Sequence, residues 1–192
     1  MSGIVGILLA AGSSRRFGSD KRVHSMPDGT PMVLASARQL ATICSRTIVV
    51  IRPGDTGLAR LLAAEGLETV VCAAAEQGMG HSLSSGVAAS ADADGWLIAL
   101  ADMPYIQTSS YDAIVGMMQG GARVARPAFA GKMGHPVGFS AECFSALLAL
   151  TGDQGGKAII DADPGALMVC PVDDPGVLKD IDQPSQIRLA GR

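Results

Sequence analysis

The stretch Ile4-Val5-Gly6-Ile7-Leu8-Leu9-Ala10-Ala11-Gly12-Ser13-Ser14-Arg15-Arg16-Phe17-Gly18-Ser19-Asp20-Lys21 decides how the chain folds. Its first six residues are an apolar run that predicts a buried strand, and the remainder is a loop of small and hydroxylated residues ending in cations. Gly12 and Gly18 let the backbone approach a ligand and adopt conformations closed to side chains. Arg16 and Lys21 can neutralise the charge of a triphosphate, so the strand opens into a phosphate-binding loop. The spacing fits neither the Walker loop, Gly-x-x-x-x-Gly-Lys-Ser/Thr, nor the dinucleotide fingerprint, Gly-x-Gly-x-x-Gly.

Outward from this strand, apolar runs alternate with helix-like stretches. Thr47 to Ile51, Glu68 to Cys72 and Trp96 to Leu100 read as strands, separated by helices over Pro31 to Ile43, Gly57 to Glu65 and Gly80 to Ala91. Beyond them come a helix from Ser109 to Met118 behind a Thr108 cap, a strand near Arg123 to Pro127, a helix from Ala141 to Leu150 and a strand from Leu167 to Val172. This alternation predicts an α/β fold, three-layered, with a mostly parallel sheet and helices on both faces. Ligands of such sheets bind beyond the carboxyl ends of the strands, so the loops after Leu9, Cys72 and Leu100 should converge.

The chain has 192 residues, which fits one domain spanning 1–192. Hydrophobic residues make up 48% and charged residues 17%, enough for a sizeable core, and the apolar runs are too short and interrupted for a membrane span. Met1-Ser2-Gly3 leads into the first strand with no export signal, so a cytoplasmic location is expected. Cys44, Cys72, Cys143 and Cys170 are widely spaced with no Cys-x-x-Cys pair, which reads as reduced thiols and argues against a zinc, iron–sulfur or disulfide scaffold. A net charge of -3 and only seven aromatic residues, four Phe, two Tyr and one Trp, argue against nucleic acid or a membrane as partner.

Three further segments carry chemistry. Leu100-Ala101-Asp102-Met103-Pro104 puts a carboxylate at the end of a strand, where it can hold a divalent cation that bridges phosphates; the bland reading is a turn aspartate before a proline. Asp180-Ile181-Asp182-Gln183-Pro184 places two carboxylates on one face of an extended segment, and one could meet Asp102 across a metal. Asp182 could equally cap a final helix with Pro184 in its first turn. Glu76 to Gly86 opens a helix with glycines and hydroxyls, which suits close approach to a base or ribose and makes Gly78, Gly80 and Ser82 candidates. His81 in that turn reads as a polar residue at a helix start rather than a catalyst.

These segments together resemble the MobA-like nucleotidyltransferases. Their signature, Leu-Ala-Ala-Gly-x-Ser-x-Arg-x-Gly-x-x-Lys, is matched at Leu9, Ala10, Ala11, Gly12, Ser14, Arg16, Gly18 and Lys21. The resemblance implies that this loop, with backbone N–H groups around Gly12, Ser13 and Ser14, wraps an NTP triphosphate, that Arg16 and Lys21 hold it, and that Asp102 coordinates Mg2+ with Asp180 or Asp182. Gly131-Lys132-Met133-Gly134-His135-Pro136 is similar to the family's Gly-x-Arg-Gly-His-Pro, and Gly152-Asp153-Gln154-Gly155-Gly156-Lys157 to its Gly-Asp-x-Gly-Ala-Arg. Lys132, His135, Asp153 and Lys157 are therefore expected on the acceptor side, with Met133 and Lys157 departing from the family's arginines; lysine keeps the charge but loses the fork.

Within the family the chain looks most like the molybdopterin cytidylyltransferases, because Ala11 stands where the guanylyl branch typically has glycine. The resemblance implies transfer of CMP from CTP to the terminal phosphate of molybdopterin, with pyrophosphate released and no protein nucleophile, and a molybdenum hydroxylase or its chaperone as a further partner. Two alternatives are a cytidylyltransferase for a sugar alcohol phosphate such as methylerythritol phosphate, whose loop usually has Pro where Asp20 stands, and a non-catalytic nucleotide-binding chaperone that delivers cofactor to a molybdenum hydroxylase.

Overall fold

The structure, a computed structural model, describes residues 3–12, 14 and 17–190. Strand β1 (Ile4–Leu9) lies between β2 (Arg46–Ile51) and β4 (Gly95–Leu100) and runs parallel to both, and β3 (Glu68–Val71) extends the parallel set beyond β2. The crossovers are α1 (Met32–Ile43), α2 (Thr56–Ala64) and α3 (Met79–Ala88), and α4 (Thr108–Gln119) follows β4.

Period-two alternation divides β1 between two cores. Leu8 joins Val33, Leu40, Val49, Leu97, Tyr111 and Ile114 under α1 and α4, whereas Ile7 joins Ile48, Leu83, Val87, Trp96 and Phe139 under α3. Helices thus cover both faces of the sheet, as expected. A Cβ at Gly86 would press on Ile7 and Val50, so the glycine lets α3 sit close against the strands.

The second half of the sheet departs from a purely parallel plan. Strand β5 (Val124–Phe129) turns through Gly131 into β6 (Lys132–Met133), and β7 (Val137–Ser140) then inserts antiparallel between β4 and β5. The edge strand β8 (Leu167–Pro171) pairs parallel with β5, giving the order β3-β2-β1-β4-β7-β5-β6 with β8 branching from β5. Because β7 runs against β4 with Val137 opposite Ile98, the residues just before it, Gly134 and His135, emerge at the carboxyl end of β4. An insertion that began as a loop in the sequence thereby becomes a wall of the site.

Smaller differences follow from local hydrogen bonding. The stretch from Ala141 is a 3-10 turn followed by α5 (Phe144–Leu148), and α6 (Lys157–Ala162) follows the glycine-rich turn. Thr108 does not cap α4: Gln107 occupies the cap, its N–H donates to Asp174 Oδ2 at 2.8 Å, and the Thr108 hydroxyl turns to Gln39. At the final 3-10 turn (Pro184–Ala190) a side chain of the turn itself serves the residues before it. Gln186 Oε1 accepts from the N–H groups of Asp182 and Gln183 at 2.7 Å each. All four cysteines are free, and burial pushes the Cys44 thiol up to about 12. Among the described residues, no helix is long and apolar enough to cross a membrane.

Candidate functional site

Strand β1 delivers the chain to the carboxyl edge of the sheet at Leu9, and Ala10 ends it. The Ala10 N–H donates to Val50 O at 2.9 Å and its carbonyl accepts from Arg22 at 2.8 Å, so both backbone polar groups of this motif position are taken by protein. Ser13 and Arg16 lie outside the described residues. Ser14 takes a left-handed φ of 51°, and its hydroxyl oxygen accepts from the Lys21 N–H at 3.4 Å, which folds the loop back toward the strand end.

The loop brings Lys21 to the centre of the site. Its Nζ donates to Asp102 Oδ2 at 2.7 Å, to the Ile181 carbonyl at 3.1 Å and to Asp182 Oδ1 at 3.4 Å. An ammonium has three protons, and here each has an acceptor. Asp102 follows β4 directly, and the Ile181 N–H donates to the Asp102 carbonyl at 2.8 Å, which clamps the carboxy-terminal segment against the strand end. Ile181 is fully buried and both flanking aspartates line the cavity, as period two requires. Asp182 joins Asp102 on the ammonium, while Asp180 stands nearer His135 and favours its protonated form.

The donor set fits a divalent cation. Asp102 Oδ1 is a buried carboxylate oxygen without a hydrogen-bond partner, and a second carboxylate, Asp182, lines the same cavity as Asp102. Among the described residues no cluster of three or more His, Cys, Asp or Glu could cage a metal. A two-carboxylate site suits magnesium, which keeps waters and takes phosphate oxygens for the rest of its shell.

Behind the loop, Arg22 forms a support that no motif announces. It is 3% exposed, and it donates to Asp20 at 2.8 and 2.6 Å, to Asp55 at 2.5 and 2.8 Å and to the Ala10 carbonyl. The Arg22 hydrogen bonds hold the Asp20 carboxyl below its usual value against the opposing effect of burial. Burial opposes the charge of Asp55 most strongly, yet the bonds from Arg22 leave it lowered as well. One guanidinium therefore ties the loop, the end of β1 and the start of α2 together. The sequence signal was faint: an arginine next to the motif lysine, with one partner 33 residues away.

Three cavities meet around this centre. The largest, of about 640 Å3, is lined by Gly12, Ser14, Lys21, Asp102, Asp180 and Asp182 on one side and by Arg126, Met133, Gly134 and His135 on the other. A second, of about 420 Å3, is walled by Leu9, Ala11, Gly12, Arg52, Gly78, Ser82 and Asp153. A narrow slot of about 190 Å3 lies between Leu83, Ile98, Val137, Phe139, Lys157 and Arg126.

Several expectations are relocated by this geometry. Asp153 borders the cavity of the first loop and Gly78, away from His135. Lys132 is exposed on β6 and is not among the residues lining the large cavity; alternation turns its neighbour Met133 inward instead. Gly78 and Gly80 are glycines for a protein reason: the Gly80 N–H donates to Gly152 O at 2.7 Å, and a Cβ at either position would run into the backbone of residues 151–153. Arg52, which sequence reasoning passed over, reaches the Gly12 carbonyl at 3.4 Å.

On the acceptor side, His135 donates its backbone N–H to Val177 O at 2.9 Å. Burial, reinforced by the nearby Arg126 charge, lowers its imidazole to about 4, so it is neutral at physiological pH.

Known proteins resemble this chain over nearly its whole length. Purine catabolism protein PucB of Bacillus subtilis (strain 168) is 32% identical over 199 residues, covering 98% of this chain and 96% of PucB. The crystal structure of Rv0371c from Mycobacterium tuberculosis H37Rv shares the fold with a TM-score of 0.85 at 24% identity, covering 97% of both chains. A manganese complex of Rv0371c matches at a TM-score of 0.78 and 24% identity over 96% of both. A family model described as MobA-like NTP transferase domain matches residues 6–168, the span that holds the strand-end loop, Asp102 and the Gly134-His135 wall. The chain belongs to the MobA-like NTP transferase family and is a nucleotidyltransferase.

Proposed function

We propose that this protein transfers CMP from CTP to the terminal phosphate of molybdopterin and releases pyrophosphate. The observation that carries the reading is the Lys21 ammonium held between Asp102 and Asp182 at the mouth of the glycine–serine loop, beside a buried Asp102 oxygen with no partner. That juxtaposition of cation and carboxylates suits a triphosphate and its metal ion. Ala11 favours cytidine over guanosine through the family pattern, and the whole chain works as one domain.

Asp102 and Asp182 would hold magnesium, which when bound offsets the charge of the triphosphate and of the departing pyrophosphate. A relative's manganese complex supports a divalent ion here. Lys21 and Arg16 grip phosphate oxygens, with the backbone N–H groups of the loop around Gly12, Ser13 and Ser14 beside them. Leu9, Ala11, Gly78 and Ser82 border the nucleoside, with Arg52 above the Gly12 carbonyl. An oxygen of the acceptor phosphate attacks the α-phosphorus in line, one P–O bond forms as the bond to pyrophosphate breaks, and the side chains contribute position and charge. The acceptor lies along Met133, Gly134 and His135, with Lys157 at the slot behind.

The reaction belongs to the cytoplasm, ahead of a molybdenum hydroxylase or its chaperone. The name of PucB associates that relative with purine catabolism, which we take as the process such a client serves. The test is magnesium-dependent pyrophosphate release from each NTP, with and without molybdopterin. Release with CTP and molybdopterin alone supports the reading. Release with CTP and methylerythritol phosphate moves the function to sugar alcohol phosphates, and CTP binding without any release makes the protein a carrier.

A further inference from the structure

Arg126 stands in the middle of β5, half-buried, where the large cavity meets the apolar slot. Its Nε donates to the Gly134 carbonyl at 2.6 Å, which turns the guanidinium toward the wall formed by residues 133–135. Among the described residues, every other buried or half-buried arginine, Arg22, Arg46, Arg52 and Arg123, has a carboxylate within ion-pair distance. Arg126 has none there, and burial alone depresses its basicity.

A desolvated guanidinium without a counter-charge is costly to keep, and it becomes favourable when an anion arrives. The one hydrogen bond it makes leaves the two Nη groups to offer a planar fork, the arrangement that suits phosphate and carboxylate oxygens. Leu83, Ile98, Val137 and Phe139 line the slot beside it, an apolar flank that weakens dielectric screening and strengthens the attraction. In the same wall Met133 carries no charge and Lys132 is not among the lining residues, so Arg126, with Lys157 at the slot, supplies the positive charge of this side.

We propose that Arg126 binds the anionic group of the acceptor, a phosphate monoester, in the part of the cavity walled by Met133, Gly134 and His135. The proposal rests on the reading of that cavity as the acceptor half of a nucleotidyltransferase site. It assigns the recognition of the acceptor's charge to a strand residue outside the loops that hold the nucleotide. Neutral His135 beside it adds a hydrogen-bonding group without a second charge.

Two measurements test it. In steady-state assays with CTP, magnesium and molybdopterin, Arg126→Met raises the KM for molybdopterin roughly 10- to 100-fold, the loss expected of a charge-assisted hydrogen-bonded pair, while the KM for CTP changes less than about twofold. Arg126→Lys recovers part of the loss. Separately, with the nucleotide site filled by a non-hydrolysable CTP analogue and magnesium, inorganic phosphate and acetate are titrated while the Arg126 Nε NMR resonance, identified by its disappearance in Arg126→Lys, is followed. A saturable shift with phosphate supports the proposal. A shift with acetate alone reassigns the anion to a carboxylate and overturns the phosphate, and no shift with either overturns the role of Arg126, leaving it a prop for Gly134. If molybdopterin is not a substrate but phosphate still moves the resonance, the acceptor proposed above fails and the assignment of Arg126 stands.

Discussion

Lys21 Nζ sits 2.7 Å from Asp102 Oδ2, while the other oxygen of the same carboxylate is buried and without a partner. Asp102 thus engages one oxygen with Lys21 and leaves the other without a hydrogen-bond partner. Asp102→Ala should lower pyrophosphate release by roughly a thousandfold or more, on the scale of losing a principal electrostatic element. The fold should persist, because Lys21 retains the Ile181 carbonyl and Asp182. Turnover and a thermal melt of the same preparation check both halves, and wild-type turnover would remove Asp102 from the mechanism.

Arg22 offers a test of the scaffold rather than the chemistry. Arg22→Met removes the cation that Asp20 and Asp55 share, leaving Arg52 beside Asp55 alone, and breaking so buried a group should cost about 3–5 kcal/mol of stability. The penalty depends on acid. The Asp20 carboxyl is lowered chiefly by its hydrogen bonds from Arg22, so the stabilisation is complete above its ordinary value of 3.8 and fades as pH falls through the lower folded value. Urea unfolding at pH 7 and again near pH 3 should therefore show the gap between wild type and variant narrowing at the acid end.

His135 gives a dependence of the same sign at higher pH, from burial rather than from an ion pair. Its folded imidazole titrates at about 4 against an ordinary 6.5, so between those values the unfolded chain takes up a proton that the folded one refuses. Stability is fully present above pH 6.5, declines toward pH 4 and levels off below. His135→Gln should remove that slope, worth roughly 1–3 kcal/mol across the window. Denaturant midpoints at several pH values, compared for the two proteins, measure it.

Gly78 and Gly57 form a matched pair. Gly78 takes a φ of +128° with the Gly152 backbone pressed against it, so Gly78→Ala should cost at least about 1–3 kcal/mol and weaken nucleotide binding by distorting the cavity wall. Gly57 has ordinary backbone geometry near the start of α2, with nothing within 4 Å of an added Cβ. Gly57→Ala should stabilise by roughly 0.5–1 kcal/mol. Melting temperatures of both variants decide the matter.

The parallel half of the sheet was legible because each strand there is a run of apolar residues flanked by a helix-forming stretch, a local signal. Strand β7 was not, since Val137-Gly138-Phe139-Ser140 is too short to show a period and is defined by partners on β4 and β5. The same division holds in the site. Lys21 and Asp102 stand in loops that betray themselves by composition, and both reach the cavity. Arg22 and Arg126 were silent because what distinguishes them is burial and the presence or absence of a carboxylate, properties of the folded chain. Lys132 misled for the simplest reason, a strand's alternation that a motif does not record.

The clamp between Ile181 and Asp102 has a consequence for the order in which the protein becomes functional. Ile181 follows Lys21 by 160 residues, and it supplies an acceptor to the lysine and a donor to the strand-end aspartate. During synthesis the glycine–serine loop leaves the ribosome early, and the sheet can form beneath it, yet Lys21 then lacks two of its three acceptors. The oldest part of the site waits for the newest, so a chain that has gained its core has not yet gained its centre.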